Sequence, residues 1–246
     1  MITRGFGTEK IEDEIKIVFP AALVARMDQD TTKNKNSFNK IIRAFEERRI
    51  DILIGTQMIS KGLDFENLTV VGVLNADNLL NYPDFRAHER SFQLMEQVSG
   101  RAGRRQKQGK VIIQTSDPAN RIIRMVLRHD YTNMFRMQAE ERSSFNYPPF
   151  CRMVKIIIKH KDRSQLNYFS DILGNDLKTI FGKRVLGPES PVISQVLLWY
   201  IKTILIKIER EKPPAKAKQL IIEAIERLEK EKGASALKIA IDVDPY

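Results

Sequence analysis

The chain has 246 residues, with 41 Lys and Arg against 31 Asp and Glu, and a net charge of +10. Its 42% hydrophobic and 29% charged residues fit one or two globular domains and exclude a disordered, collagen-like or coiled-coil chain. A single cysteine, Cys151, and three scattered histidines, His88, His129 and His160, exclude a disulfide framework and a cysteine-rich zinc module within these residues. The longest apolar stretch near the start, residues 17–25, contains Pro20 and falls well short of the ~20 residues a membrane helix needs. With no secretion signal visible, the expectation is a cytoplasmic protein without a membrane partner. The basic balance is that of a protein that meets phosphate. Between Arg101 and Arg128 eight basic groups stand against one acid, Asp117.

In chain order, four short apolar runs read as buried strands: 22–27, 51–55, 69–74 and 110–115. Helical patterns lie between them. Residues 35–48 carry Phe38, Ile41, Ile42 and Phe45 on one face, and a helix over 85–98 opens behind Pro83 and Asp84, its expected N-cap. Strands alternating with helices predict a parallel α/β sheet, whose functional loops emerge at the carboxyl ends of the strands, here after Gly55 and near Gly100. A long helix is expected over 120–143. The segment Asn146-Tyr-Pro-Pro-Phe150 then marks the expected domain boundary, giving domains 1–147 and 148–246.

Beyond it the grammar changes. Residues 152–159 alternate as a strand, and 162–181 place Leu166, Phe169, Leu173, Leu177 and Ile180 at helical spacing. Val185-Leu-Gly-Pro188 reads as a very short strand into a turn and 196–208 as one long strand. Residues 216–232 form an amphipathic helix, and 237–243 alternate cleanly. The order β-α-β-β-α-β predicts a smaller α+β, ferredoxin-like domain.

Chemistry concentrates in two segments. Gln97-Val-Ser-Gly-Arg-Ala-Gly-Arg104 spaces Gln97, Arg101 and Arg104 by four and three residues, one face of a helix end, with Gly100 and Gly103 leaving room for close backbone approach. Two guanidiniums aimed at one point suit a triphosphate, because the rigid, always charged fork binds phosphate oxygens in pairs. The competing reading is a solvated basic helix end. The second segment, Asp51 to Phe65, ends a strand in Gly55-Thr56 and continues through Gln57 to Lys61-Gly62-Leu63-Asp64. It places Thr56 and neighbouring amides where a phosphate backbone is held, and leaves Asp64 free to accept from a ribose hydroxyl. Ordinary turn chemistry is the alternative. No G-x-x-x-x-G-K-[ST] occurs, since Gly109-Lys110 and Gly182-Lys183 lack the flanking residues. Asp77 imitates a Mg²⁺-holding acid only in following an apolar run.

The two segments, in this order, resemble motifs V and VI in the second RecA-like lobe of superfamily 2 helicases. Thr8 to Glu14, Arg26 to Thr31, Gly55 to Met58, Pro83 to Ala87, Tyr147 to Phe150, Val185 to Pro188 and Ile241 to Pro245 narrow the resemblance to the PriA family of replication-restart helicases. It implies a RecA-like lobe 2 followed by the family's C-terminal domain, in an ATP-dependent 3′-to-5′ DNA helicase of primosome assembly. The resemblance also implies that Arg101 and Arg104 meet the nucleotide phosphates, with Arg104 the finger, and that Gln97 organises them. Gly62, Asp64, Gly100 and Gly103 would line the nucleotide pocket, and Thr56, Gln57 and Lys61 would face DNA. ATP and Mg²⁺ would be shared with a lobe 1 lying upstream, where zinc-binding cysteines are also expected; none is expected in this chain. DNA, single-stranded-DNA-binding protein and primosome proteins are the implied partners. On this reading the chain alone is inactive. A non-catalytic nucleic-acid or partner-binding module on a RecA-like scaffold is the alternative.

Three further features stay open. Trp199 and Tyr200 are adjacent on a strand, so they point to opposite faces and at least one belongs in the core; stacking on bases is the competing reading. Lys155, Lys159, Lys161 and Arg163 form either a solvated edge or a DNA groove. Cys151 is most simply a small packed residue.

Overall fold

A computed structural model describes residues 7–28, 35–56, 68–100 and 109–245. The chain divides into two compact units, Met1–Met134 and Phe135–Tyr246. The first contains α1 (Thr8–Val18), β1 (Val24–Met27), α2 (Lys35–Glu46), β2 (Ile52–Gly55), β3 (Val70–Val73), α3 (Ala76–Leu80), α4 (Ala87–Ser99), β4 (Lys110–Ile113) and α5 (Arg121–Leu127). Helix α6 (Tyr131–Ser144) begins in the first unit and ends in the second.

Parallel pairing is present as expected: β1 with β2, aligning Val24 with Ile52, and β3 with β4, aligning Val70 with Lys110. Among the described residues these are two separate two-stranded ladders rather than one sheet. The strands are also less buried than their apolar runs suggest. Along β3 and β4 exposure alternates, and Val70 and Ile112 are each 52% exposed, the pattern of a ladder covered on one face only. Helix α2 turns Phe38, Ile41, Ile42 and Phe45 onto Met27 and Leu53, as its spacing predicts. The single helix expected over 120–143 is two. Asn120 caps α5 by accepting from the Ile122 amide, and His129 adopts φ 53° between the helices. Asp130 then restarts the chain by accepting from the Asn133 amide at 3.1 Å, a side-chain cap that a helical-spacing count cannot see.

The second unit contains β5 (Cys151–His160), α7 (Arg163–Phe181), β6 (Val185–Glu189), β7 (Gln195–Val196), β8 (Trp199–Glu209), α8 (Pro214–Glu229) and β9 (Lys238–Val243). Its antiparallel sheet runs β6-β8-β5-β9. Numbered within the unit without the two-residue β7, and read from β9, that is the 4-1-3-2 order of the ferredoxin-like arrangement. Asp162 caps α7, its carboxylate accepting from the Gln165 amide at 2.9 Å. Helices α7 and α8 cover one sheet face, packing Leu166, Phe169, Leu173, Leu177, Ile221 and Leu228 on Ile156, Ile158, Ile204 and Ile206. Each such burial contributes roughly 1.5–3 kcal/mol. The expected long strand 196–208 is a hairpin: β7 pairs with β8, Val196 opposite Trp199, across Leu197 and Leu198. Leu197 takes φ 53°, a conformation apolar residues rarely adopt, so no turn residue announces it.

Val185-Leu-Gly-Pro188 is a packing device. Gly187 has φ 93°, and a Cβ there would meet the Thr203 carbonyl oxygen of β8 at 2.7 Å. Pro188 in turn lies against Gly174 of α7, where a Cβ would meet the proline Cδ at 2.7 Å. Two glycines thus set how closely β6 approaches its neighbouring strand and helix.

Candidate functional site

Helix α4 carries Gln97 in its last turn, exposed, and ends at Ser99. Gly100 is its C-cap, donating its amide to the Glu96 carbonyl at 2.9 Å. Its φ of −67° suits any residue, so the backbone does not require glycine there. Room for an approaching group is what remains of the argument for glycine at this position. Arg101, Gly103 and Arg104 lie outside the described residues, so the face they were expected to share with Gln97 ends at Gln97 here. Thr56 follows β2 directly and is exposed at its carboxyl end, while Gln57, Lys61, Gly62 and Asp64 also lie outside the described residues. The structure therefore positions the entry to each segment, one at the end of a parallel strand and one at the end of a helix.

Side chains that spacing did not single out hold these entries in place. The Glu96 carboxylate, one residue before Gln97, meets His129 Nδ1 at 2.9 Å, tying the last turn of α4 to the turn between α5 and α6. Near the start of the chain, Thr8 Oγ1 donates to Asp28 at 2.7 Å, and Arg26 Nε lies 3.4 Å from Glu12 and 3.3 Å from Asp28. Thr8 to Glu14 and the described part of Arg26 to Thr31, residues 26–28, thereby meet in one contact between α1 and the end of β1. Asp77 is structural. Its carboxylate accepts from Thr115 Oγ1 at 2.6 Å and from Ser116 N and Oγ at 2.8 and 2.7 Å, joining α3 to the loop after β4. Those bonds, Thr115 first, hold its pKa below the ordinary 3.8. Both of its carboxylate oxygens are thereby engaged within the protein. Among the described residues no group of His, Cys, Asp or Glu is placed to hold a metal ion.

In the second unit the adjacent aromatics part as expected. Tyr200 packs against the helix-covered core, and Trp199 lies on the open sheet face. Lys161 Nζ stands 5.5 Å and Lys238 Nζ 4.4 Å from the Trp199 ring centroid. Lys155 and Lys159 alternate onto the same face of β5, whereas Arg163 opens α7 and is not on the sheet. Lys207, farther along that face, is engaged: it donates to the Phe145 carbonyl at 2.7 Å and lies 3.9 Å from the Tyr147 ring centroid. Burial pushes its pKa below the usual lysine value. Cys151 is the packed residue expected, buried, with Sγ donating to the Asn146 carbonyl at 2.9 Å and its pKa raised mainly by burial. Among the described residues no helix is long and apolar enough to cross a membrane.

This succession of parallel βα elements and a ferredoxin-like unit coincides with two family matches. The family described as Helicase conserved C-terminal domain matches residues 8–106, and that described as Primosomal protein N C-terminal domain matches 143–246. The chain is 38% identical over 244 residues to the replication restart protein PriA of Bacillus subtilis (strain 168), covering 98% of this chain and 30% of that protein. It is 34% identical to the proteins of the same name from Synechocystis (98% of this chain, 28% of the relative) and Haemophilus influenzae (100% and 33%). The chain belongs to the PriA family. It spans about a third of the length of these relatives and corresponds to their C-terminal part.

Proposed function

We propose that the chain is the C-terminal portion of an ATP-dependent 3′-to-5′ DNA helicase acting in replication restart, with domains 1–147 and 148–246. The observation that carries this reading is the succession, in one chain, of a helicase C-terminal match and a primosomal C-terminal match on two separately packed units. In it, Arg104 and Arg101 stabilise charge on the transferring phosphoryl group of ATP held by a lobe absent from these residues. Gln97, exposed at the end of α4, orients them. Gly62, Asp64, Gly100 and Gly103 border the nucleotide, and Thr56, Gln57 and Lys61 contact the DNA strand. ATP and Mg²⁺ are cofactors of the whole protein, and zinc belongs to its upstream region. DNA, single-stranded-DNA-binding protein and other primosome proteins are the partners.

Steady-state ATPase measurements on three samples test it: this chain, the full-length protein, and full-length Arg104→Ala. No sequence of the P-loop type occurs in these residues, and an arginine finger adds stabilisation only once the triphosphate is seated. The chain alone should therefore hydrolyse no ATP above background. Full-length protein should show DNA-stimulated turnover, and Arg104→Ala should lower it by about 10³–10⁵ with DNA affinity nearly intact. Near-normal turnover in the variant would leave the arginines as a solvated helix end. Absence of ATPase in the full-length protein would favour a non-catalytic binding module.

A further inference from the structure

The open face of the second unit's sheet is uneven in charge. At one end Lys155 of β5 stands opposite Asp242 of β9, opposite signs in register. At the other end Lys159 stands directly opposite Lys238. Like charges in that position repel and destabilise a sheet. Lys161 follows two residues after Lys159, so three ammonium groups have backbone origins within about 7 Å along and across the strands. None of the three forms an ion pair with any described carboxylate. In their midst is Trp199, with Lys161 and Lys238 beside its ring. The β7–β8 hairpin adds apolar surface at the same end: Val196, opposite Trp199, is 49% exposed, and Leu197 and Leu198 at the tip are 88% and 69% exposed.

Uncompensated lysines beside a half-buried indole on the open face and two exposed leucines call for a ligand that presents anions and flat apolar rings together. Duplex DNA shows phosphates but hides its bases, which would leave the apolar half unused. A single strand shows both. We propose that the Trp199 end of the open sheet face is a single-stranded-DNA site, with Lys159, Lys161 and Lys238 holding backbone phosphates while Trp199, Leu197 and Leu198 contact bases. Exposed cation–π contacts are weak, so the lysines re-aim from the indole to phosphate without moving the strands. Lys207, held by Phe145 and Tyr147, and Lys155, opposite Asp242, are excluded. The proposal rests on the reading of the chain as part of a DNA-acting protein and names a site on it.

Trp199 is the only tryptophan, so its fluorescence reports this site alone. The 246-residue chain is titrated with a 20-nucleotide thymidine oligonucleotide, following both tryptophan emission and the anisotropy of a labelled copy. Emission should change with the same midpoint as anisotropy. Lys159→Gln/Lys238→Gln should weaken binding at least 10-fold near 0.1 M salt and flatten the log K against log salt slope by about 1.4, two phosphates at ~0.7 each. Trp199→Ala should weaken it about 5- to 100-fold. Lys178→Gln and Lys218→Gln, on the exposed sides of α7 and α8, should change neither. Binding that leaves tryptophan emission and the double variant unaffected overturns the site but not the DNA reading. Absence of binding at low salt overturns both. Emission that responds to oligoglutamate and not to the oligonucleotide overturns the proposal in favour of an acidic protein partner.

Discussion

Replacing Gly187 with alanine tests whether Val185-Leu-Gly-Pro188 is a packing motif. Two costs add. The residue sits at φ 93°, where an L side chain is strained by about 1–2 kcal/mol. Its new Cβ would also lie 2.7 Å from the Thr203 carbonyl oxygen and 3.0 Å from the Glu189 amide nitrogen. Both are backbone atoms, and Thr203 is paired on its other side with Ile157 of β5, so β8 cannot retreat without disturbing the sheet. Overpacking of that kind costs about 1–3 kcal/mol. The sum, about 3 kcal/mol, is roughly two decades in the ratio of folded to unfolded molecules. At a slope of about 2 kcal/mol per molar urea, the unfolding midpoint should fall by about 1.5 M. The assay is urea unfolding followed by Trp199 fluorescence, which reports the second unit because the only tryptophan begins β8. Gly174→Ala separates the two costs. Its backbone is helical, its clash is with the Pro188 ring, and alanine's helix propensity returns about 1 kcal/mol, so its loss should be smaller. A loss below about 1 kcal/mol at Gly187 would refute the reasoning.

Cys151 should react slowly with iodoacetamide at pH 8 in the folded chain and quickly in urea, because burial raises its pKa and its thiol donates to the Asn146 carbonyl; equal rates would contradict that packing. Asp77→Asn should loosen the link between α3 and the loop after β4, read as faster amide exchange at Ser116. Since the folded-state pKa of Asp77 lies below its unfolded value of 3.8, its contribution is present above that value and is lost as pH falls through the folded pKa; equal acid sensitivity of Ser116 exchange in the wild type and in Asp77→Asn would contradict it. Residues 135–246 expressed alone should be more stable to urea than 148–246. The longer piece keeps the Phe145 carbonyl and Tyr147 ring that engage Lys207, and equal stabilities would show those contacts to be idle.

Periodicity was enough where one face of an element is buried and the other wet. Helix α2, helix α7 and the alternating β5 follow directly from apolar spacing, because a displaced register would expose their core side chains, whereas β9 alternates in sequence but turns only Ile239 onto the core. The β-α-β-β-α-β order was legible for the same reason. Where a turn is imposed by surroundings, the residues are silent: Leu197 and His129 adopt positive φ without being the glycine or asparagine that would announce it. Of the candidate site, the residue types and spacings of Gln97, Thr56 and Gly100 were legible, as was the parting of Trp199 from Tyr200. What holds these positions was not, since Glu96 and His129 are 33 residues apart and Thr8 and Asp28 are 20 apart.

By itself the sequence determined local grammar: which stretches are strands or helices, that two kinds of domain follow one another, and where arginines and glycines cluster. These depend on neighbours three or four residues away. Only the tertiary structure decided that Lys159 faces Lys238, that two lysines flank the indole of Trp199, and that Gly187 sits against the Thr203 carbonyl. Each of those contacts joins strands far apart in the chain, and pairing register across a sheet is set by the packing of the whole core rather than by any residue in the pair.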